Sequence, residues 1–326
     1  MAASDAPATF SEMRTHFLEA LKEVTGVSAV NTIANRYLNL GLQTMHQEDW
    51  PWAERQAVIL THANYTTGDA SIALATRTTV TGAGGTLWNT AVTGMGFNNA
   101  RAGGKLTFAG ATDVYEVASV GGDTAITLVD RFIGAAALTN VTYSYFEDAY
   151  ALASDYWRPI GEVQLRYFDK DRTVEVLEAQ DFYQRFGKNS TVGTPTHEAI
   201  LEIGPSGSVA LRPRVVFAPP PSVLGIIPYR YYTTNLAVSS TGVGATNLSA
   251  DADEPIVPLR WRMGVIYKAL ELWARDRKDD ARSEMFKRSY EELRVAALHL
   301  IPGGDVRLRR YFEEKAAASG AVGAGR

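Results

Sequence analysis

The sequence contains no cysteine among its 326 residues. The fold therefore uses no disulfide bond and no thiolate metal site. It also has no apolar run near the roughly 20 residues that a membrane-spanning helix needs, so we expect no membrane partner. The opening stretch MAASDAPATF lacks the basic and apolar regions of a signal peptide. These absences predict a protein that is made in the cytoplasm and stays soluble, or that leaves by a route other than secretion.

A large excess of one charge is also missing. The chain has 32 basic and 36 acidic residues, which gives a formal net charge of -4. This balance argues against a protein whose whole surface is built to bind nucleic acid. The composition is otherwise that of an ordinary globular protein, with 46% hydrophobic and 21% charged residues. The length predicts two or three folding units.

Motifs for catalysis and for metal binding are scarce. The 5 histidines show no metal-ligand spacing such as HExxH, and we interpret HQED at 46–49 as a solvated helix end. ADADE at 250–254 lacks the glycine and the glutamate of a calcium loop, so it is an acidic loop or a weak cation site. The glycine-rich stretches fit neither nucleotide-binding motif, and no GxSxG motif occurs. The sequence therefore predicts no catalytic residue, no metal, no cofactor and no enzyme activity.

Helical patterns open and close the chain. Thr9 and Glu12 form a candidate capping box, and the apolar spacing that follows predicts two helices that reach Met45. Pro51, between Trp50 and Trp52, ends this helix pair, and we expect the two indoles to pack over the end of a helical core. A second pair of helices is predicted near the end of the chain, up to Pro302.

Short β-branched or alternating runs separated by turn residues fill the middle of the chain. The predicted fold class is α+β: a helical bundle from the N- and C-terminal helices, with an inserted small antiparallel β-barrel or sandwich and a second β-rich region. The predicted parts are an N-terminal helix pair at 1–55, an inserted β domain at 56–150, a second β-rich region at 151–255, a C-terminal helix pair at 256–302 and an extended tail at 303–326.

Tyrosine is more frequent than phenylalanine and is concentrated in two of these runs. Tyr143 and Tyr145 lie in YSYF, and YRYY contains Tyr229, Tyr231 and Tyr232. We expect at least one face of each run to be exposed. Exposed tyrosine is typical of protein interfaces, sugar clefts and single-strand nucleic-acid grooves, whereas rings packed at the sheet edge need no partner. We therefore predict that the three tyrosines of YRYY form an inter-subunit or partner surface.

The order and character of these segments resemble the head-to-tail adaptor proteins of tailed bacteriophages. The resemblance rests on NTIANRYLNLGLQTMHQEDWPW near the start, AQDFYQRFGKNSTVGTPTHEAI, FAPPP and IPYRYYTTNL in the second half, and the helices around ALELWARDRKDDARSEMFKRSYEELRVAAL. It covers most of 9–55 and 175–302. The large β insertion at 56–150 departs from the mainly helical small members of the family.

The resemblance implies a structural virion protein at the head–tail junction, made in the host cytoplasm. Its copies would form a ring, commonly of twelve, between the portal protein and the tail or a further neck protein. Double-stranded DNA would pass through this ring without sequence-specific contacts. The C-terminal tail would bind the portal, and the candidate contact residues are Arg307, Leu308, Arg309, Arg310, Tyr311 and Phe312.

Two alternatives remain open on the sequence. One is a tail-tube or tail-completion component, which is also structural. The other is a carbohydrate-binding or glycan-degrading β protein, for which Tyr143, Tyr145, Tyr229 and Tyr231 would supply stacking rings. The candidate acids of that protein are Glu116, Asp148 and Asp155.

Overall fold

A computed structural model of the chain describes residues 6–22, 28–160, 174–187, 191–203 and 212–300. Two compact units divide the chain. Met1–Glu54 together with Tyr232–Arg326 forms one unit, here called the helical unit, and Arg55–Tyr231 forms the other, the β unit. The predicted α+β class is confirmed, since the described residues contain helices and several antiparallel sheets. None of the described helices is long and apolar enough to cross a membrane.

The described residues form five α-helices, numbered in chain order: α1 Phe10–Leu21, α2 Ser28–Met45, α3 Ala179–Phe186, α4 Arg262–Asp276 and α5 Asp280–Leu300. The β-strands are β1 Glu54–Thr61, β2 Asp69–Ile72, β3 Thr79–Ala83, β4 Lys105–Phe108, β5 Tyr115–Gly122, β6 Ala125–Leu128, β7 Leu138–Val141, β8 Tyr143–Phe146, β9 Ala149–Ala151, β10 Tyr156–Pro159, β11 Glu175–Val176, β12 His197–Ile203, β13 Arg212–Ala218, β14 Gly225–Thr233, β15 Ala237–Val238, β16 Gly244–Ala245 and β17 Glu254–Pro255.

The start of α1 is fixed by the predicted capping box. The Thr9 hydroxyl accepts a hydrogen bond from the amide of Glu12, and the Glu12 carboxylate accepts one from the amide of Thr9. These bonds satisfy amides that have no partner within the helix. The helix closes at Lys22, which has a positive φ of 56°.

The helices from the two ends of the chain share one hydrophobic core. Helix α1 packs on α2 and α4, α2 packs on α4, and α4 packs on α5. Phe10, Phe17, Ile266 and Leu270, which the helical spacing placed on the apolar faces of their helices, are buried there. Along α2 the buried positions instead include Leu38 and Leu42, and Ile33 is exposed. Each amphipathic helix thus buries its apolar side against a helix that is distant in sequence.

Trp50 belongs to this core, at the joint where the helical unit ends. Its indole is buried, donates to the carbonyl of Met45 over 2.7 Å and stacks on Trp52 with ring centroids 4.4 Å apart. Pro51 opens a short 3₁₀ turn that leads into β1. The Trp-Pro-Trp segment therefore ends the helix pair and packs over its core, as the sequence predicted.

Three sheets form the β unit among the described residues. The largest has seven strands in the order β7-β2-β3-β6-β5-β4-β8, and its core contains the buried side chains of Trp88 and Tyr145. A four-stranded sheet has the order β11-β12-β13-β9, and a three-stranded sheet the order β1-β14-β10. Strand β13 pairs with β9, so the compact unit continues across position 150, where the sequence suggested a boundary.

The first and last strands of the β unit are neighbours. Thr61, at the end of β1, donates its hydroxyl to the carbonyls of Val223 and Gly225, where β14 begins. The end of β1 therefore lies beside the start of β14, and the two strands run in opposite directions. The chain thus enters and leaves the β unit at adjacent positions.

Gly41 allows α2 and α4 to approach closely. A methyl group built on Gly41 would lie 2.8 Å from both the amide nitrogen of Ala269 and the carbonyl oxygen of Val265. Both are backbone atoms and cannot move without shifting α4. We predict that Gly41→Ala lowers the free energy of unfolding by about 1–3 kcal/mol, because the helices must separate. Chemical denaturation of the two proteins measures this difference.

Gly264→Ala is the matched control, since Gly264 is also a helical glycine. Its new methyl group would meet the flexible end of Leu293 at 3.3 Å, which is not backbone. The expected change is within about 1 kcal/mol in either direction, because the gain in helix propensity offsets the tighter packing. Equal unfolding midpoints for Gly41→Ala and the wild type would contradict the proposed close contact.

Candidate functional site

A cleft of about 440 Å³ opens in the β unit. It is lined by backbone and side chains from β1, β9, β13 and two loops: Val58, Ile59, Leu60, Met95, Gly96, Phe97, Arg101, Ala102, Gly103, Glu147, Ala149, Tyr150, Ala151 and Arg214. The lining combines apolar side chains with two arginines and one carboxylate. Clefts of this size with a few convergent polar groups are typical ligand sites.

Glu147 is the buried acid of the cleft and is only 3% exposed. Its carboxylate accepts two hydrogen bonds from Arg101, with Nε to Oε1 at 2.7 Å and Nη2 to Oε2 at 2.6 Å. The hydroxyl of Tyr145 donates to Oε1 over 2.7 Å. Both carboxylate oxygens are therefore occupied, and the two-pronged geometry is the strongest that an arginine and a carboxylate adopt.

The pKa values around Glu147 follow from burial and from this pairing. Burial raises the pKa of Tyr145 well above its usual value, and the neighbouring Glu147 carboxylate raises it further. Burial also raises the pKa of Tyr150, whose hydroxyl donates to the Glu147 carbonyl. For Arg101, burial lowers the pKa, but the hydrogen bonds to Glu147 outweigh it and the pKa is raised. Both phenols are thus protonated at neutral pH, and Arg101 is charged.

Arg214 differs from Arg101 because no carboxylate in the described ranges pairs with it. It lies on β13, is only 7% exposed and lines the cleft. Within the described part of the chain, its guanidinium takes part in no hydrogen bond or ion pair. Sequence analysis missed both arginines. The available signal was a charged residue inside the apolar run RPRVVF, where a strand buried on both faces has few places for a charge.

The tyrosines predicted as a partner surface are buried, so the expected exposure of Tyr229, Tyr231 and Tyr232 is wrong. Tyr229 accepts a hydrogen bond from the amide of Ala153, and Tyr231 donates to Asp155, each over 2.7 Å. Residues on β14 alternate between the two faces of the sheet. Tyr229 and Tyr231 share the inner face with Ile227, whereas Tyr232 points to the opposite face and is also buried.

The outer face of β14 carries the residues between the tyrosines. Ile226 is 41% exposed there, and Pro228 and Arg230 are also exposed. Alternation along the strand was therefore correctly expected, but the faces are reversed. The larger rings bury more apolar area than Ile226 does, which favours this orientation.

The rings of the other tyrosine run are also buried. Tyr143 donates to the carbonyl of Thr67 over 2.7 Å, and Tyr145 has no measurable exposure. Asp148 forms an ion pair with Lys105. None of these rings forms the open platform that stacking on a sugar requires, so the glycan hypothesis loses its basis in these residues.

The acidic stretches considered for metals make ion pairs and hydrogen bonds within the helical unit. Glu48 accepts from Arg294 over 2.7 Å, and the buried His46 ring lies 3.0 Å from the carbonyl of Leu42. In the 250–254 loop, Asp251 pairs with Arg14 at 2.9 Å and Glu254 pairs with Arg262 at 2.8 Å. No group of three or more His, Asp or Glu within the described ranges is arranged to hold a metal.

The predicted portal-binding residues of the tail, Arg307, Leu308, Arg309, Arg310, Tyr311 and Phe312, lie outside the described residues. No protein-family model matches the sequence, and no curated protein matches it. The described part of the molecule thus offers one candidate site, the cleft around Arg214, together with a set of charges that are paired for structural reasons.

The Arg101–Glu147 pair can be tested by a double-mutant cycle. We predict that Arg101→Met lowers the free energy of unfolding by about 2–4 kcal/mol, because it leaves the buried Glu147 carboxylate without its cation. The double variant Arg101→Met/Glu147→Leu should lose less than the sum of the two single variants, by at least about 1 kcal/mol. Chemical denaturation of all four proteins measures the coupling, and additive losses would show that the pair is not coupled.

The contribution of the Asp253 carboxylate to stability can be tested through its pH dependence. The carboxylate accepts hydrogen bonds from the amides of Ala250 and Ser249 and from the Ser249 hydroxyl, and these bonds lower its pKa below the ordinary value of 3.8. Because the pKa is lowered in the folded state, the ionised carboxylate stabilises the fold at pH values above the ordinary pKa. This contribution is lost as the pH falls through the lowered pKa. Asp253→Asn should therefore destabilise the protein at about pH 7 and have a smaller effect at about pH 3.

Urea denaturation of Asp253→Asn and the wild type at both pH values measures the two differences. The control is Asp251→Asn, which changes a largely exposed carboxylate in the same loop and should have a smaller effect at neutral pH. A stability difference for Asp253→Asn that is the same at both pH values would contradict the assigned role.

Proposed function

We propose that this chain is a structural protein of the head–tail junction of a tailed bacteriophage. Its copies form a ring that joins the portal protein to the tail or to the next neck protein, and double-stranded DNA passes through the ring. The proposal starts from the resemblance of the terminal helices and of the IPYRYYTTNL region to head-to-tail adaptors. The structural observation that carries it is the shared core of α2, α4 and α5, in which the two ends of the chain pack together.

The position of the β unit supports this architecture. Strands β1 and β14 are adjacent, and the end of one lies beside the start of the other. An inserted unit whose entry and exit are neighbours leaves the surrounding helical core intact. We therefore interpret the fold as an adaptor-like helical bundle with a β-barrel or sandwich inserted between its second helix and its C-terminal pair.

The last described helix provides a fixed base for the C-terminal tail. Arg294 on α5 binds Glu48 at 2.7 Å, and Tyr290 lies 3.4 Å from the same carboxylate. Burial of Tyr290 and its packing in the helical core hold this part of α5 against the end of α2. The described part of α5 reaches Leu300, which is 63% exposed. We infer that this anchored helix supports the portal-binding tail.

The tail residues give the sharpest test of portal binding. We predict that the full chain with Leu308→Ser, Tyr311→Ser and Phe312→Ser still assembles with itself but binds purified portal at least about tenfold more weakly, because apolar anchors dominate binding energy. Biolayer interferometry on immobilised portal measures the affinity. The control is Val322→Ser, another apolar residue of the tail, which should bind as the wild type does. Equal affinities for the triple variant and the wild type would refute the role of these anchors.

The ring itself is tested by native mass spectrometry and electron microscopy of the purified protein, alone and mixed with portal. A closed ring, with the portal on one face, is the expected result. A protein that stays monomeric in both samples would contradict the proposal. Rings that stack on one another and do not bind portal would instead identify a tail-tube component.

A further inference from the structure

Arg214 combines deep burial with a charge that has no partner among the described residues. The residue is 7% exposed, and its guanidinium has no hydrogen bond or ion pair within the described part of the chain. Removing a charge from water without a compensating partner is unfavourable, so buried charges are normally paired. The side chain also lines the cleft, which leaves its nitrogens accessible to a ligand.

The backbone around Arg214 is built to leave room for it. Gly103 has a φ of +85°, and a methyl group built on it would lie 3.5 Å from Nη1 of Arg214. The amide of Gly103 donates to the carbonyl of Val117 over 2.8 Å, which fixes this turn above the guanidinium. On the other side, Ala151 pairs with Arg214 in the sheet and adds only a methyl group to the same face. Gly103 and Ala151 thus leave space beside the cation.

The other two charged side chains that line the cleft neutralise each other. Arg101 and Glu147 form a two-pronged pair, and Tyr145 fills the remaining capacity of one carboxylate oxygen. Lys105 is paired with Asp148 nearby. The cleft therefore keeps the single positive charge of Arg214. A guanidinium with this freedom matches the planar, two-oxygen geometry of a carboxylate.

The other side chains that line the cleft favour a ligand with an apolar group next to its negatively charged group. Val58, Met95 and Phe97 line the cleft, and Val58 is 54% exposed. Phe97 is held in place by the guanidinium of Arg101, whose carbon lies 4.8 Å from the ring centroid. The volume of about 440 Å³ suits a small organic molecule or the last residues of a peptide.

We propose that this cleft binds an organic carboxylate that carries an apolar group. The carboxylate pairs with Arg214, and the apolar group lies against Val58, Met95 and Phe97. The ligand is either a free small carboxylic acid or the C-terminal carboxylate of a polypeptide that ends in an apolar residue. This binding site does not depend on the role at the head–tail junction, since it uses only residues of the β unit.

Isothermal titration calorimetry with the full chain tests the proposal and separates the two sources. The small-molecule probes are benzoate and the neutral benzamide, and the peptide probes are acetyl-Ala-Ala-Leu with a free carboxylate and with a C-terminal amide. We expect a carboxylate probe to bind at least about tenfold more tightly than the matching neutral amide, because the carboxylate gains one charge-assisted pair. The tighter of the two carboxylates identifies the source.

Arg214→Gln should weaken carboxylate binding at least about tenfold, while the matched control Arg212→Gln should leave it unchanged. Arg212 lies two residues away on the same strand and on the same face of the sheet, but it is exposed and does not line the cleft. Arg214→Lys keeps the charge but loses the planar fork, so it should bind with intermediate affinity.

A second measurement uses the unaltered protein, in case Arg214→Gln does not fold. Phenylglyoxal modifies accessible arginines, and mass spectrometry locates the modified sites. We expect the carboxylate probe to slow modification of Arg214 and not that of Arg212. Absence of binding by both carboxylates, equal binding of acids and amides, preference for inorganic phosphate, or unprotected Arg214 would each overturn the proposal.

Discussion

The close approach of α2 to α4 at Gly41 is the constraint on which the helical unit depends. It joins a helix near the start of the chain to one near the end, with backbone atoms of α4 within 2.8 Å of where a side chain would begin. Closing so long a loop costs conformational entropy. The pairing of β1 with β14 reduces this cost, because a folded β unit already brings its two ends together. The inserted β unit can therefore fold without preventing the helices at the two ends of the chain from packing together.

Much of the helical unit could be predicted from its sequence because helices are specified locally. The capping box at Thr9, the apolar spacing along α1, and the stop at Pro51 each depend on residues within a few positions of one another. Along α2 the helix itself was predicted, but its buried face was not. The role of Gly41 could not be predicted in this way. A glycine inside a helical pattern has no local signature that distinguishes close packing from weak propensity, and its contacts lie on a helix far along the chain.

The β unit was less predictable because strand pairing is not local. Within the described residues, most of the runs identified as strands did form strands, but the pairing of β13 with β9 joins regions that the sequence divided near position 150. The orientation of β14 was reversed for a related reason. Alternation along a strand separates two sets of residues without showing which set faces the core, and Ile226 competes with Tyr229 for the inner side. The burial of larger rings decided the outcome.

The candidate site shows why charged residues in this sequence were poor guides to function. The acidic residues that could have served as metal ligands or catalytic acids are used in structural contacts: Glu48 pairs with Arg294, Asp251 with Arg14, and Glu254 with Arg262. Two of these pairs join residues more than 200 positions apart in sequence, so a cluster of carboxylates along the chain says little about its role. Arg214, in contrast, is a useful guide to a binding site. A charge inside an apolar strand is costly unless something compensates it, and among the described residues nothing within the chain does. What marks a ligand site here is therefore the charge left uncompensated, and that property becomes visible only when the other charges that line the cleft have been assigned partners.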